Sequence, residues 1–165
     1  MTVVTVSTFE DARATYRNKE LRQALYDEGR HAKHRYLYLG HDPAVCALSI
    51  KSVLQWLLGH PIQGVQSERD AIDLARRLKH APSLAHALWF VCQAQVARGD
   101  APAVVNTASE LLTLSDEHGL PQTRATALAY LGWAIVQTAD VSRGIPLLEE
   151  GFATYSRLGV RNNLC

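Results

Sequence analysis

The chain has 165 residues, enough for one domain to bury a continuous core without covalent staples. Hydrophobic residues make up 47% and charged residues 20%, which excludes a disordered polymer. The net charge of +1 leaves no global field to draw in nucleic acid or anionic lipid, and three cysteines without a Cys-x-x-Cys spacing fit reduced cytosolic thiols better than a disulfide framework or a zinc site.

Residues 1–7 read as a loose arm. Their apolar start has no basic leader and so is not a signal peptide, and no apolar run is long enough to span a membrane. A cytoplasmic protein without a membrane partner is expected. Ser7 or Thr8 can cap a helix running to about Tyr26, with Phe9, Ala12, Tyr16, Leu21, Ala24 and Leu25 at roughly helical spacing. Gly29 interrupts it, and a basic connector, Arg30 to Arg35, leads to Tyr36-Leu37-Tyr38-Leu39-Gly40.

Asp42-Pro43 opens a first helix pair, an N-cap followed by a proline whose missing N–H has no partner in the first turn. Helices are expected to about Leu58 and over Pro61–Lys79, with Gly59-His60-Pro61 between them. A second pair runs from Ala81 to Arg98 and from Pro102 to Glu117, ended by His118-Gly119. A third covers Gln122–Thr138 and Val141–Leu158, closed by Gly159. Residues 160–165 read as a frayed tail.

A spacing of 40 relates these pairs: Leu48, Leu88 and Leu128 correspond, as do Ser52, Cys92 and Gly132, and Gly64, Val104 and Gly144. A small side chain at a helix crossing lets two axes approach to roughly 8–10 Å. Glycine inside a helix costs roughly 1 kcal/mol against alanine, so Gly64 and Gly144 at one repeat position point to packing. The prolines Pro43, Pro82 and Pro121 recur at 39, so the first helix of each pair is expected to gain one residue of lead-in per repeat.

This pattern resembles tetratricopeptide (TPR) repeats in a form longer than the usual 34 residues. His41-Asp42-Pro43-Ala44-Val45-Cys46-Ala47-Leu48-Ser49, with Trp56-Leu57-Leu58-Gly59-His60-Pro61, resembles the TPR modules of large bacterial signalling ATPases that often also carry nucleotide-cyclase or DNA-binding domains. Leu25-Tyr26-Asp27 with His31 is similar to the linker of the same family. The resemblance spans about residues 8–159. It implies an all-α, right-handed superhelical stack of antiparallel helix pairs with about seven helices. The parts would be residues 8–41, 42–80, 81–119 and 120–159. The chain has no phosphate loop of the Gly-x-x-x-x-Gly-Lys-Ser/Thr kind, so neither catalytic activity carries over.

The resemblance also implies a concave face made by the first helix of each pair. It would carry Ser49, Val53, Trp56 and Leu57, then His86, Trp89, Phe90, Gln93 and Val96, then Thr126, Tyr130, Trp133 and Gln137. The three tryptophans of the chain fall in this set, as groove anchors or as core between helices. TPR domains that grip a chaperone's terminal carboxylate use Lys, Arg and Asn there; Ser49, Val53, Trp89, Gln93, Ala129 and Trp133 stand here instead. An apolar or mixed peptide or protein segment fits better.

His31 and His34 could share a helical face as metal ligands do, but Arg30, Lys33 and Arg35 would repel a cation and no third ligand is evident, so they read as solvated surface residues. The same short basic run makes nucleic acid an unfavoured partner. Glu149-Glu150 and Asp116-Glu117 are adjacent on helices and diverge by about 100°, too far apart in direction for acid/base work. Cys46 and Cys92 read as small packing groups, and His86 and His118 lack a nucleophile and an orienting partner. The expectation is a non-catalytic interaction scaffold without metal or cofactor. The alternative is a structural or regulatory self-associating segment of a larger signalling ATPase or cyclase. Leu148, Phe152 and Tyr155 on the last helix have no following repeat to cover them, so homodimerisation through that end is expected.

Overall fold

The computed structural model describes residues 40–138 and 140–159. The arm at 1–7, the helix expected over 8–26, the basic connector and the tail at 160–165 lie outside them. The described residues form an all-α structure of six helices: α1 (Pro43–Leu57), α2 (Pro61–Arg77), α3 (Ala81–Ala97), α4 (Ala101–His118), α5 (Pro121–Gln137) and α6 (Val141–Arg157).

The helix starts follow from local chemistry. Asp42 accepts hydrogen bonds from the N–H groups of Ala44 and Val45, Asp100 from Ala103 and Asp140 from Arg143. His60, His80 and Leu120 make no side-chain cap, and proline in the first turn of α2, α3 and α5 removes one donor that would need a partner. From α2 onward the helices begin at 61, 81, 101, 121 and 141. The lead-in therefore changes once, between α1 and α3, and not by one residue per repeat, because α3 and α5 begin 40 residues apart. The ends keep the same beat. Gly59, Gly99, Gly119 and Gly159 turn the chain at φ between 62° and 78°, and Lys79 takes the same left-handed conformation at φ 48°. For a residue with a Cβ that costs about 1 kcal/mol.

Each helix packs on the next, α1 also touches α3, and α3 touches α5. The buried contact residues are small. Ala71, Ala75, Ala85, Ala87, Ala94, Ala108, Ala125, Ala127 and Ala134 are at most 1% exposed. Larger residues such as Val45, Leu88, Leu111 and Val104 fill the spaces between these crossings. The repeat position 52/92/132 does lie at a crossing. A Cβ on Gly132 would stand 2.7 Å from the Gly144 carbonyl oxygen, and one on Gly151 would stand 2.8 Å from that of Ala125. Those pairings, 132 with 144 and 125 with 151, also make α5 and α6 antiparallel. In the first pair a Cβ on Gly64 would meet the Ser52 carbonyl oxygen at 3.0 Å. In the middle pair Cys92 and Val104 share one apolar cluster, so a larger residue is absorbed there.

Candidate functional groove

Helices α3, α5 and α6 enclose an open groove of about 720 Å³. Trp89, Phe90, Gln93 and Val96 enter it from α3, and Thr126, Ala129, Tyr130 and Trp133 from α5. Leu148, Phe152 and Tyr155 close it from α6. None of these eleven residues carries a full charge, and six are aromatic. The helical spacing explains the lining: 89, 93 and 96 share one face of α3, and 126, 130 and 133 share one face of α5.

The walls are held by polar contacts at their backs. Thr126 Oγ1 and the Tyr155 hydroxyl are hydrogen-bonded, which ties α5 to α6, and Tyr155 is only 4% exposed. Burial pushes the Tyr130 hydroxyl up to about 12, with the nearby Cys92 adding to the shift and a hydrogen bond with Trp89 opposing it. Tyr130 is therefore a neutral hydrogen-bonding wall at any physiological pH. Trp89 and Phe90 are tilted rings with centroids 5.8 Å apart. Phe152 is 46% exposed at the rim, and Gln93 is exposed and offers an amide to a bound backbone.

The residues expected on a concave face separate into two groups. Trp89, Phe90, Gln93, Val96, Thr126, Tyr130 and Trp133 line the groove together. The first-pair residues do not join them. Ser49 is 1% exposed and gives its hydroxyl to the Val45 carbonyl, so it faces its own helix. Trp56 lies under the Arg98 guanidinium, 5.8 Å from ring centroid to charge, and Arg98 in turn reaches Glu68 at 2.6 Å. Trp56 is a packing residue between repeats. Val53 is half-buried, while Leu57 and Gln137 are exposed outside the groove. His86 stacks on His41 with centroids 3.8 Å apart and touches Phe90 at 4.8 Å. Burial, and secondarily the His41 charge, pulls its pKa down to about 3.

Leu148, Phe152 and Tyr155, expected at a self-association end, line the third wall of the groove. The physical reason is that α6 packs along α5 through glycines, which sets the α6 side chains close beside the α5 face. Sequence reasoning treated the two sets separately. The glycine spacing on α6, Gly144 and Gly151 seven residues apart, was the signal that α6 lies along α5 over two turns.

Cys46 and Cys92 are free thiols whose pKa values burial raises, that of Cys92 to about 12. Among the described residues no helix is long and apolar enough to cross a membrane. His31 and His34, expected as solvated surface residues, lie outside the described residues.

No protein-family profile matches the chain, and no solved structure matches it. The chain is similar to an uncharacterized protein of Rhizobium meliloti (strain 1021), with 26% identity over 136 residues. That stretch is 82% of this chain and 13% of the relative, so the chain spans a small part of the protein it matches.

Proposed function

We propose that the chain is a non-catalytic scaffold, a TPR-like right-handed superhelical stack that binds a peptide or protein segment. A seventh helix, at residues 8–26, would precede the six described. The groove lined by aromatics from three helices carries this reading. Its size suits a few side chains of an extended or helical segment, and its uncharged wall suits apolar anchors over acidic or basic ones. Aromatic walls give large contact area with few rotors, which is how such surfaces gain affinity. The 40-residue frame and the small residues at the helix crossings support the repeat assignment.

The test is selection from a displayed library of random peptides on the full chain, followed by affinities for Trp89→Ala and Tyr130→Ala. Recovered peptides rich in apolar residues, weakened roughly tenfold or more by either substitution, are expected. Peptides that bind both variants as well as wild type would overturn the groove assignment.

A second reading is favoured by the exposed apolar residues of α6 and by the length of the relative. Val141, Ile145, Phe152 and Leu158 are 41–53% exposed, and the matched stretch is 13% of a much longer protein. In this reading the chain corresponds to a segment of a larger signalling protein, or pairs with its own copy at that end. Light scattering across a concentration series, on wild type and on the Leu148→Glu, Phe152→Glu double variant, separates the readings. A dimer that the double variant dissolves into folded monomers supports self-association, and a monomeric wild type removes it.

A further inference from the structure

The repeat register places three metal-ligating side chains together away from the groove floor. His41 stands just before α1, Cys46 is in the first turns of α1, and His86 is in the second turn of α3. One ring nitrogen from each histidine and the Cys46 sulfur all lie within 4.8 Å of one another. Cys46 and His86 occupy the same position of the 40-residue frame, so the packing of α1 on α3 brings them side by side. The Asp42 N–H, donated to Ser83 Oγ at 2.8 Å in a buried bond, fixes the residue after His41 against α3 one turn before His86.

One ring nitrogen in the cluster is unsatisfied. The Nε2 of His86 is shut off from solvent and has no hydrogen-bond partner among the described residues. A buried polar atom without a partner is costly, so native proteins rarely leave one. The rings of His41 and His86 stack nearly parallel, 12° apart, so they cannot hydrogen-bond each other through in-plane nitrogens. Two imidazoles and a thiol side by side, with no carboxylate among them, form a donor set of borderline softness.

We propose that His41, Cys46 and His86 form a three-ligand site for a borderline-soft divalent cation, Zn2+ being the match. Zinc holds imidazole nitrogen at about 2.0–2.1 Å and thiolate sulfur at about 2.3 Å, which puts ligand atoms about 3.5 Å apart in a tetrahedron. The three donors must close by roughly 1 Å to reach that spacing. The stacked rings must also fan apart, because imidazole lone pairs lie in the ring plane and cannot meet above it. His41, on the segment entering α1, is the ligand placed to swing. On binding, the Cys46 thiol gives up its proton to solvent and the sulfur bonds to the ion. The fourth position is left for water or for a donor from a partner. A bound ion would staple α1 to α3 and fix the first helix pair against the second. It would also settle His86 against Phe90, at the end of the α3 groove wall.

The experiment uses the full chain, stripped with chelator and kept reduced without thiols. Zn2+ is titrated against a chromophoric chelator, and Co2+ is used as the spectroscopic probe. We expect one equivalent of Zn2+ bound below about 1 µM, and a Co2+ complex with a thiolate charge-transfer band. Cys46→Ser should abolish the band, and His41→Ala and His86→Ala should each weaken Zn2+ by about 100-fold. Cys92→Ser should leave band and affinity unchanged. At a hundredfold excess over Kd, Zn2+ should raise the wild-type Tm by about 5–10 °C, and the three ligand variants should lose that shift. The Tm of each metal-free variant shows whether it still folds, and the wild-type Co2+ spectrum reads the thiolate without any substitution. Zn2+ bound only above about 100 µM would overturn the proposal. So would a charge-transfer band that survives Cys46→Ser, or tight binding lost on His31→Ala or His34→Ala and kept in the three ligand variants.

Discussion

In the α5–α6 hairpin the two backbones touch. Gly132 faces Gly144, and Gly151 faces Ala125, at distances that leave no room for a Cβ. In the α1–α2 hairpin polar side chains do more of the joining. Ser67 donates to the Gln55 side-chain oxygen at 2.7 Å, and Gln55 meets Gln63 across the pair. Ser49 and Ser52 return their hydroxyls to carbonyls of α1, and Glu68 on α2 holds Arg98 at the end of α3. One repeat frame is thus satisfied twice, by glycine contact at one end and by hydrogen-bonded serine and glutamine at the other. The frame thus specifies a crossing point and not a residue type. Glycine or a hydrogen-bonded serine stands there in the outer pairs, and the middle pair takes the larger Val104 into an apolar cluster.

Substitutions can break that contrast. Gly144→Val should have the largest effect, about 3 kcal/mol of lost stability by urea unfolding, because the new atoms meet the Gly132 carbonyl and Val136. Gly64→Ala should stay within about 1 kcal/mol of neutral, since the gain in helix propensity offsets a contact that can relax by a few tenths of an ångström. Equal losses at both sites would remove the distinction between the hairpins.

Next in size is Glu68→Ala, expected to cost about 2 kcal/mol because it leaves Arg98 unpaired where the two side chains are only 8% and 19% exposed. Arg124→Ala at the other end breaks two ion pairs, with Asp116 and Glu150, yet should cost under about 1 kcal/mol. Its partners are about half exposed and screened. Thermal unfolding in low and high salt measures both, and only the Arg124 effect should shrink with salt.

Asp42→Ala should cost about 1.5 kcal/mol against about 0.5–1 kcal/mol for Asp140→Ala, the first cap being fully buried and the second exposed. The smallest change sharpens the comparison from the stabilising side. Lys79→Gly should add up to about 1 kcal/mol by relieving a left-handed residue where the equivalent positions 119 and 159 hold glycine. A denaturation midpoint that does not rise would mean that Lys79 is not strained.

The helix boundaries were legible because each start carries Asp or Pro and most ends carry Gly. They match to within one or two residues from Pro43 to Arg157. Lys79 was not legible as a left-handed turn, since nothing about lysine favours that conformation. The groove was legible in part. Helical spacing put Trp89, Gln93, Tyr130 and Trp133 on shared faces, but pattern alone could not tell that Trp56 pairs with Arg98, 42 residues away, instead of joining them. Nor could it show that Ser49 spends its hydroxyl on its own helix. The His41, Cys46 and His86 cluster was hidden for a related reason. Metal-ligand spacing along one helix joins residues three or four apart, while the packing of α1 on α3 brings position 46 beside position 86, a separation of one 40-residue period.

The glycine contact between α5 and α6 bears on how the chain folds in time. Those two helices meet across a turn of a few residues, so closing the hairpin costs little loop entropy. At Gly132–Gly144 and Ala125–Gly151 the contact is to backbone, which needs no side-chain rotamer to settle there. The last hairpin is therefore expected to form early in folding. Crowding its glycines should slow refolding, whereas loosening the Asp42 cap should chiefly speed unfolding. The same order would have the α1–α2 pair open before the last hairpin, which would part His41 from His86 while the α5–α6 groove walls still stand.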